Sequence, residues 1–432
     1  MKIAVVGGGI SGLVAGFDLA KAGHEITVFE KDHVLGGLCA CFRLEGTYLE
    51  KYYHHFFTSD QAIIDLFEQL GLSPLVEWRT SLTGVYYDGH AYPFGGPVDL
   101  LRFKPLPMAD RLRLGFAIMR LRKIDDWRPL EEITAKDFIV REMGEKVYRV
   151  LWEPLLRSKF GDKAESVAAV WFWGKIKLRG STRTKSGSKE LLGYLRGGLG
   201  LAIDELAKQI TERGGRVLTS SPVERIAVDG DKIQVTSLQG VDHFDRLVFT
   251  GAPSLFASLC DDLSDDYRQR LQSVHYQGTT CLVLKTKQSL SNIYWLNIND
   301  LNVPFVGIIE HTNYRSPQEY GGYRVIYVTR YLDPNNRLYS LDADELFEEY
   351  KPHIKRIFPH FDPAAVQERF IFKDAFTQPV IRLQYSRQIP DFTTPLPGVC
   401  LASMAQIYPE DRGSNYGVVM GHKASEWIKK SL

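Results

Sequence analysis

Cysteine is scarce in this 432-residue chain and poorly arranged for chemistry. Five occur, Cys39, Cys41, Cys260, Cys281 and Cys400, an odd number with no Cys-x-x-Cys pair. That pattern supports neither a disulfide framework nor a structural zinc site, and leads us to expect reduced thiols in a cytoplasmic protein. No apolar run reaches the roughly 18 to 20 residues needed to span a bilayer. Neither sign of charge is in excess, because 53 Lys and Arg stand against 52 Asp and Glu, so there is no global electrostatic case for nucleic acid. Internal repeats and low-complexity linkers are also missing. A chain of this length should form two lobes, and without a linker these should be interleaved rather than strung in series.

Glycine is plentiful at the start. Ile3-Ala4-Val5-Val6 reads as a buried parallel strand and runs directly into Gly7-Gly8-Gly9-Ile10-Ser11-Gly12. A helix should follow on the Leu13, Val14, Phe17, Leu19 and Ala20 stripe, ending near Gly23 before a second strand, Glu25–Phe29, closed by Glu30. Gly7-x-Gly9-x-x-Gly12 between strand and helix, with a later acid, is the dinucleotide-binding pattern: tight turn, backbone approach to pyrophosphate, close helix packing, and a carboxylate for the ribose. Lys31 follows, and then a second glycine pair, Gly36-Gly37-Leu38, which suits a dinucleotide longer than a plain nicotinamide one.

With these motifs the chain resembles the flavin-containing amine oxidase superfamily, which includes protoporphyrinogen oxidases, carotenoid desaturases and monoamine oxidases. It also resembles UDP-galactopyranose mutase, built on the same FAD domain. The resemblance continues through Tyr194–Leu206, Gly215–Val217, Ser221–Ile226, Asp245–Pro253 and the block from Phe138 to Gly161. It implies non-covalently held FAD, contacted at Gly7, Gly9, Ser11, Gly12, Glu30, Lys31, Gly36, Gly37 and Leu38, by the backbone of Val223, and by Met404, Asn415 and Tyr416 around the last helix, expected from about Tyr416. This sequence departs from the family at three places. Leu38 replaces an arginine, Ser403-Met404 replaces Gly-Asp so that no carboxylate is available there, and no lysine occurs in Thr279–Leu282. The last departure weighs against a standard amine oxidase.

Glu50–Asp60 is the most unusual segment, with Tyr52, Tyr53, His54 and His55 in succession. The resemblance places it at the flavin edge, where His54, His55 or Tyr53 would act on protons near neutral pH, or the group would simply support the ring. A metal site is not expected, since neighbouring side chains in an extended segment diverge. Residues 101–123 combine Leu112, Phe116 and Met119 with seven basic groups and one acid. Two readings stand: a helix packing its apolar stripe into the substrate lobe, or a peripheral membrane contact guiding a lipid-like substrate. The polar, basic segment 180–189 reads as a loop that either moves freely or binds phosphate. Tyr408–Asn415 could offer Asp411, Arg412 and Asn415 to flavin or substrate, or be a structural loop.

The expected fold is α/β, a Rossmann-type FAD-binding domain (1–75, 191–255 and 395–432) interleaved with an α+β substrate domain (76–190 and 256–394). The expected function is an FAD-dependent oxidoreductase taking a hydride from a small organic substrate. The alternative is a non-redox flavoenzyme acting on a nucleotide sugar, as the mutase resemblance implies.

Overall fold

A computed structural model describes residues 1–181 and 191–431. Most of the basic loop over 180–189 lies outside the described residues. Strand β1 (Lys2–Val6), helix α1 (Ile10–Lys21) and strand β2 (Glu25–Phe29) follow the expected succession. β1 and β2 lie inside a five-stranded parallel sheet of order Arg216–Leu218, β2, β1, Arg246–Phe249, Val399–Leu401. Alternation along β1 explains why its run is apolar on both faces. Ile3 and Val5 join a core with α1, Gly200–Glu212 and the terminal helix Ser414–Lys430, while Ala4 and Val6 join one beneath the antiparallel meander Val223–Phe244. Gly230, at φ +62°, turns the first hairpin of that meander as its Asp-Gly-Asp sequence demands.

A seven-stranded mixed sheet is built around Tyr276–Thr286, whose neighbours are Val366–Pro379 and Arg324–Leu332. One face buries Leu282, Leu284, Ile326 and Val328 under the helix Ala343–Ile357. The other carries Cys281, Val283, Val325 and Tyr327, which pack against Leu44, Leu49 and Tyr194. This second interface joins the large sheet to the segment that leads into Tyr52–His55. The helices between residues 97 and 181 form a further core around Phe138, Leu151, Trp171 and Phe172.

The basic stretch 101–123 is two helices, Pro97–Arg102 and Met108–Leu121, because Pro105 and Pro107 interrupt it. Its burial overturns the reading in which the Leu112, Phe116 and Met119 stripe packs inward. Leu114, Ala117 and Leu121 face the core, whereas Met108, Leu112, Phe116 and Met119 are exposed. No described helix is long and apolar enough to cross a membrane.

Candidate functional site

The two glycine turns are held edge to edge. Gly36 N–H donates to Gly8 O at 2.8 Å, and Gly9 and Gly36 form a parallel bridge. Gly36 sits at φ +109°, and a Cβ there would come within 2.9 Å of the Ala40 backbone, so only glycine closes this turn. A Cβ on Gly12 would overlap the carbonyl of Gly7, which lets α1 start directly against the turn. The Glu30 carboxylate is buried. Its Oε2 accepts the Gly8 N–H at 2.7 Å and its Oε1 accepts the Asp32 N–H at 2.9 Å. Burial raises the Glu30 carboxyl, opposed by those two hydrogen bonds.

Gly9 caps α1 and Gly413 caps the terminal helix, and neither N-terminus has a side-chain cap. The two helices run parallel and in close contact, with Gly417 against Ile10 and Gly421 against Val14 and the Ser11 carbonyl. Their N-termini therefore lie side by side, and unsatisfied N–H groups with the positive ends of two helix dipoles favour negative charge there.

Tyr52–His55 is anchored from both sides. The Glu50 side chain is fully buried and accepts from Tyr194 Oη (2.7 Å) and Leu199 N–H (2.8 Å), while the Glu50 carbonyl accepts from Tyr327 Oη (2.8 Å). His54 Nδ1 lies 2.6 Å from the Tyr52 carbonyl, which fixes the proton on Nδ1, and Nε2 lies 4.0 Å from Cys39 Sγ. Burial, reinforced by the Arg412 charge and opposed by the Tyr52 hydrogen bond, pushes the His54 imidazole down to about 4. This corrects the expectation of titration near neutral pH: His54 is a neutral imidazole there. His55 turns the other way, into a cage of Phe57, Tyr294 and Trp295, with Nδ1 3.2 Å from Tyr294 Oη. Tyr53 stacks edge-on to Trp295, and burial together with neighbouring Tyr331 holds its phenol well above the ordinary range.

Beside Tyr53 and His54, charges from three segments meet neutral partners from two strands. Asp411 Oδ2 is 3.4 Å from Lys159 Nζ and also pairs with Lys175, while Asp411 Oδ1 accepts from Trp171 Nε1 at 3.2 Å. Arg412 donates from Nη2 to Tyr331 Oη (2.6 Å) and from Nε to Gln378 Oε1 (3.2 Å). Burial alone would raise the Asp411 carboxyl, but Lys159, Lys175 and Arg412 hold it far below the usual range.

The family model for flavin containing amine oxidoreductases matches residues 10–410. The chain belongs to that family. Among curated proteins, amine oxidase [flavin-containing] B of Sus scrofa is 25% identical over 266 residues, covering 58% of this chain and 50% of that one. The chain spans about half or less of the length of such relatives. Among solved structures, a protein of Exiguobacterium sp. 255-15 provisionally named a protoporphyrinogen oxidase superposes with a TM-score of 0.79 at 19% identity, covering 100% of this chain and 99% of that one. Reduced UDP-galactopyranose mutase superposes at 0.76 with 15% identity, covering 100% and 94%. These likenesses establish the Rossmann-type flavin fold, and membership of the family brings a flavin cofactor.

The residues expected at the flavin gather around the two glycine turns. Gly7, Gly9, Ser11, Gly12, Gly36, Gly37 and Leu38 all lie on the paired turns or the first turn of α1, Glu30 follows the end of β2, and exposed Lys31 flanks it. Gly8 is not free to meet a phosphate, because its N–H is taken by Glu30. Val223 opens the meander. Met404, half-buried in the 3-10 turn Met404–Gln406, and Tyr416 pack into the core around α1. Asn415 has a different tie from the one expected: its Oδ1 accepts the Ile63 N–H at 3.1 Å and pins the terminal helix to helix Gln61–Gln69. The terminal helix starts at Ser414, two residues before the expected position, because Gly413 is the extended cap. Lys175, Tyr331 and Gln378 are unmarked by any local motif, and Lys159, inside the Phe138–Gly161 block, carried no role of its own. Only Asp411 and Arg412 stood in a loop already singled out.

Proposed function

We propose that the chain is an FAD-dependent oxidoreductase with non-covalently bound FAD, whose cofactor lobe comprises residues 1–75, 191–255 and 395–432 and whose substrate lobe comprises 76–190 and 256–394. The observation that carries this reading is the joined pair of glycine turns beside two parallel, uncapped helix N-termini, with the Glu30 carboxylate at the end of β2. Glu30 would hold the adenosine ribose through the lone pairs left by its two backbone bonds, and the N-termini of α1 and the terminal helix would face the pyrophosphate and the flavin pyrimidine. FAD supplies the hydride acceptor. Non-covalent binding agrees with the thiols: all five are buried, and burial pushes that of Cys39 up to about 12, far from a reactive thiolate.

Tyr53 and His54 would border the reacting carbon of a small-molecule substrate, excluding water and orienting it. His54, neutral with Nδ1 committed to the Tyr52 carbonyl, could take part only through Nε2. His55, in its aromatic cage, would support the wall. Anaerobic mixing of the FAD-loaded protein with amines, isoprenoids, porphyrinogens and nucleotide sugars tests the reading. Bleaching in proportion to one substrate supports it, and protein that never takes up FAD refutes it. The second reading, an isomerase acting on a nucleotide sugar with reduced flavin, is favoured by the cations around Asp411 and predicts turnover only after dithionite reduction.

The same proposal extends to location. Six of the thirteen large exposed apolar side chains among the described residues, Val98, Leu101, Met108, Leu112, Phe116 and Met119, lie on the two helices of 97–121. Arg113, Arg120, Arg122, Lys123 and Arg141, with Glu142 paired to Arg120, line the depression around Phe116 and Met119, leaving the cations in excess. An apolar stripe rimmed by cations complements an anionic bilayer surface, which supports a peripheral contact.

A further inference from the structure

We propose that Lys159, Lys175 and Arg412 form the anchoring site for an anionic group of the substrate, a carboxylate or a phosphate, held next to Tyr53 and His54. The inference rests on the flavin-enzyme reading and names the substrate class for the same site.

The argument is one of charge. Among the described residues, Lys159 and Arg412 bring two positive charges to one ionised carboxylate, Asp411, which Lys175 also uses. Lys159 and Lys175 both use Asp411 Oδ2, and the side chains of Lys159 and Asp411 are only 9% and 7% exposed. Arg412 has two neutral partners, the Tyr331 hydroxyl and the Gln378 amide oxygen, and among the described residues it is ion-paired to no carboxylate. Asp374 also feels Arg412 through space, but its Oδ1 accepts the Phe376 N–H at 2.7 Å, and burial pushes its carboxyl up, towards the neutral form. Buried charge left uncompensated is costly, and folds keep it where a ligand supplies the counter-charge. The aromatic surround sharpens the case. Lys159 Nζ lies 5.3 Å from the Trp171 ring and 5.5 Å from the Tyr331 ring, so cation–π contacts support an ammonium that burial pushes down, with no second carboxylate among the described residues.

The origin of these groups separates this anion from those of the cofactor. Lys159 lies in the last turn of helix Glu153–Phe160, Lys175 lies in helix Ala169–Ser181, and Tyr331 and Gln378 belong to the seven-stranded sheet. The glycine turns expected at the pyrophosphate belong to the parallel sheet. Arg412 stands two residues before the terminal helix and lowers the His54 imidazole through its charge, which ties the cluster to the segment next to the expected flavin edge. Arginine's fork suits either planar carboxylate or phosphate oxygens.

The test uses FAD-loaded protein titrated with inorganic pyrophosphate and, separately, with malonate, read by perturbation of the flavin spectrum and by the thermal midpoint. Wild type is expected to bind at least one probe saturably, and the probe preferred distinguishes a phosphate from a carboxylate. Lys159→Met and Arg412→Met should weaken that binding about tenfold or more with FAD content unchanged, and Lys159→Arg should restore it in part. Lys175→Met, at a more exposed position, serves if the other variants fail to fold. Absence of saturable binding by wild type, or equal affinity in the Met variants, overturns the proposal. If the protein takes up no FAD, the cofactor reading fails instead, and the thermal response of wild type against Lys159→Met still decides the anion site.

Discussion

Glu30 Oε2 accepts the Gly8 N–H at 2.7 Å, so the acid expected at the ribose also closes the glycine turn that precedes it by 22 residues. Replacing it removes a turn lock and a ribose ligand together. Glu30→Ala should lower the stability of the cofactor-free protein by about 1–3 kcal/mol, the cost of a buried unpaired N–H, and should weaken FAD binding by about tenfold or more. Thermal unfolding and flavin fluorescence titration measure the two effects. An unchanged FAD affinity would remove Glu30 from the cofactor site.

His54 supplies a pH dependence whose sign follows from its depressed imidazole. The folded chain holds it neutral down to about 4, whereas in the unfolded chain it takes up a proton near 6.5. The unfolded state therefore binds more protons between these values. The stability contribution is complete above about pH 6.5 and is lost as the pH falls towards 4, by at most about 3 kcal/mol. His54→Asn should flatten the decline of the denaturation midpoint over that window. A histidine resonance from His54 titrating near pH 6.5 in the folded protein would contradict the assignment.

Asn415 Oδ1 is the partner of the Ile63 N–H in the first turn of helix Gln61–Gln69, a helix without a side-chain cap. Asn415→Ala leaves that buried donor unpaired and should cost about 1–3 kcal/mol. Asn415→Asp keeps the acceptor and should cost less. Urea denaturation of both separates this pin from a cofactor contact, because a cofactor contact would change FAD affinity without changing the stability of the cofactor-free protein.

Reading along the chain succeeded where the information is local. β1, the glycine turn, α1 and β2 follow from one run of apolar periodicity and glycine spacing, and the Asp229-Gly230-Asp231 hairpin follows from its turn residues. The anion cluster was not legible in this way, since Lys159 and Asp411 are 252 positions apart and no spacing rule links them. His54 was identified by type, but its charge state depends on burial and on Arg412, both properties of the folded chain. Residues 108–121 carry apolar side chains on two faces, and composition alone could not say that Leu114, Ala117 and Leu121 would be the buried set.

That exposed face of Met108–Leu121 gives the remaining prediction. Met108, Leu112, Phe116 and Met119 are each about half or more exposed, at 53, 48, 61 and 52%, and burying such side chains at a lipid boundary favours binding by roughly 25 cal/mol for each Å² removed from water. The cations beside them add attraction for anionic headgroups that falls as salt rises. Wild-type protein should therefore float with phosphatidylcholine vesicles containing phosphatidylglycerol, and much less with phosphatidylcholine alone. Leu112→Glu combined with Phe116→Glu should abolish flotation while leaving the fold intact, because neither side chain belongs to the core. Wild type that stays in solution with both vesicles, or that sediments as a dimer dispersed by the same double substitution, would assign the stripe to a protein interface instead.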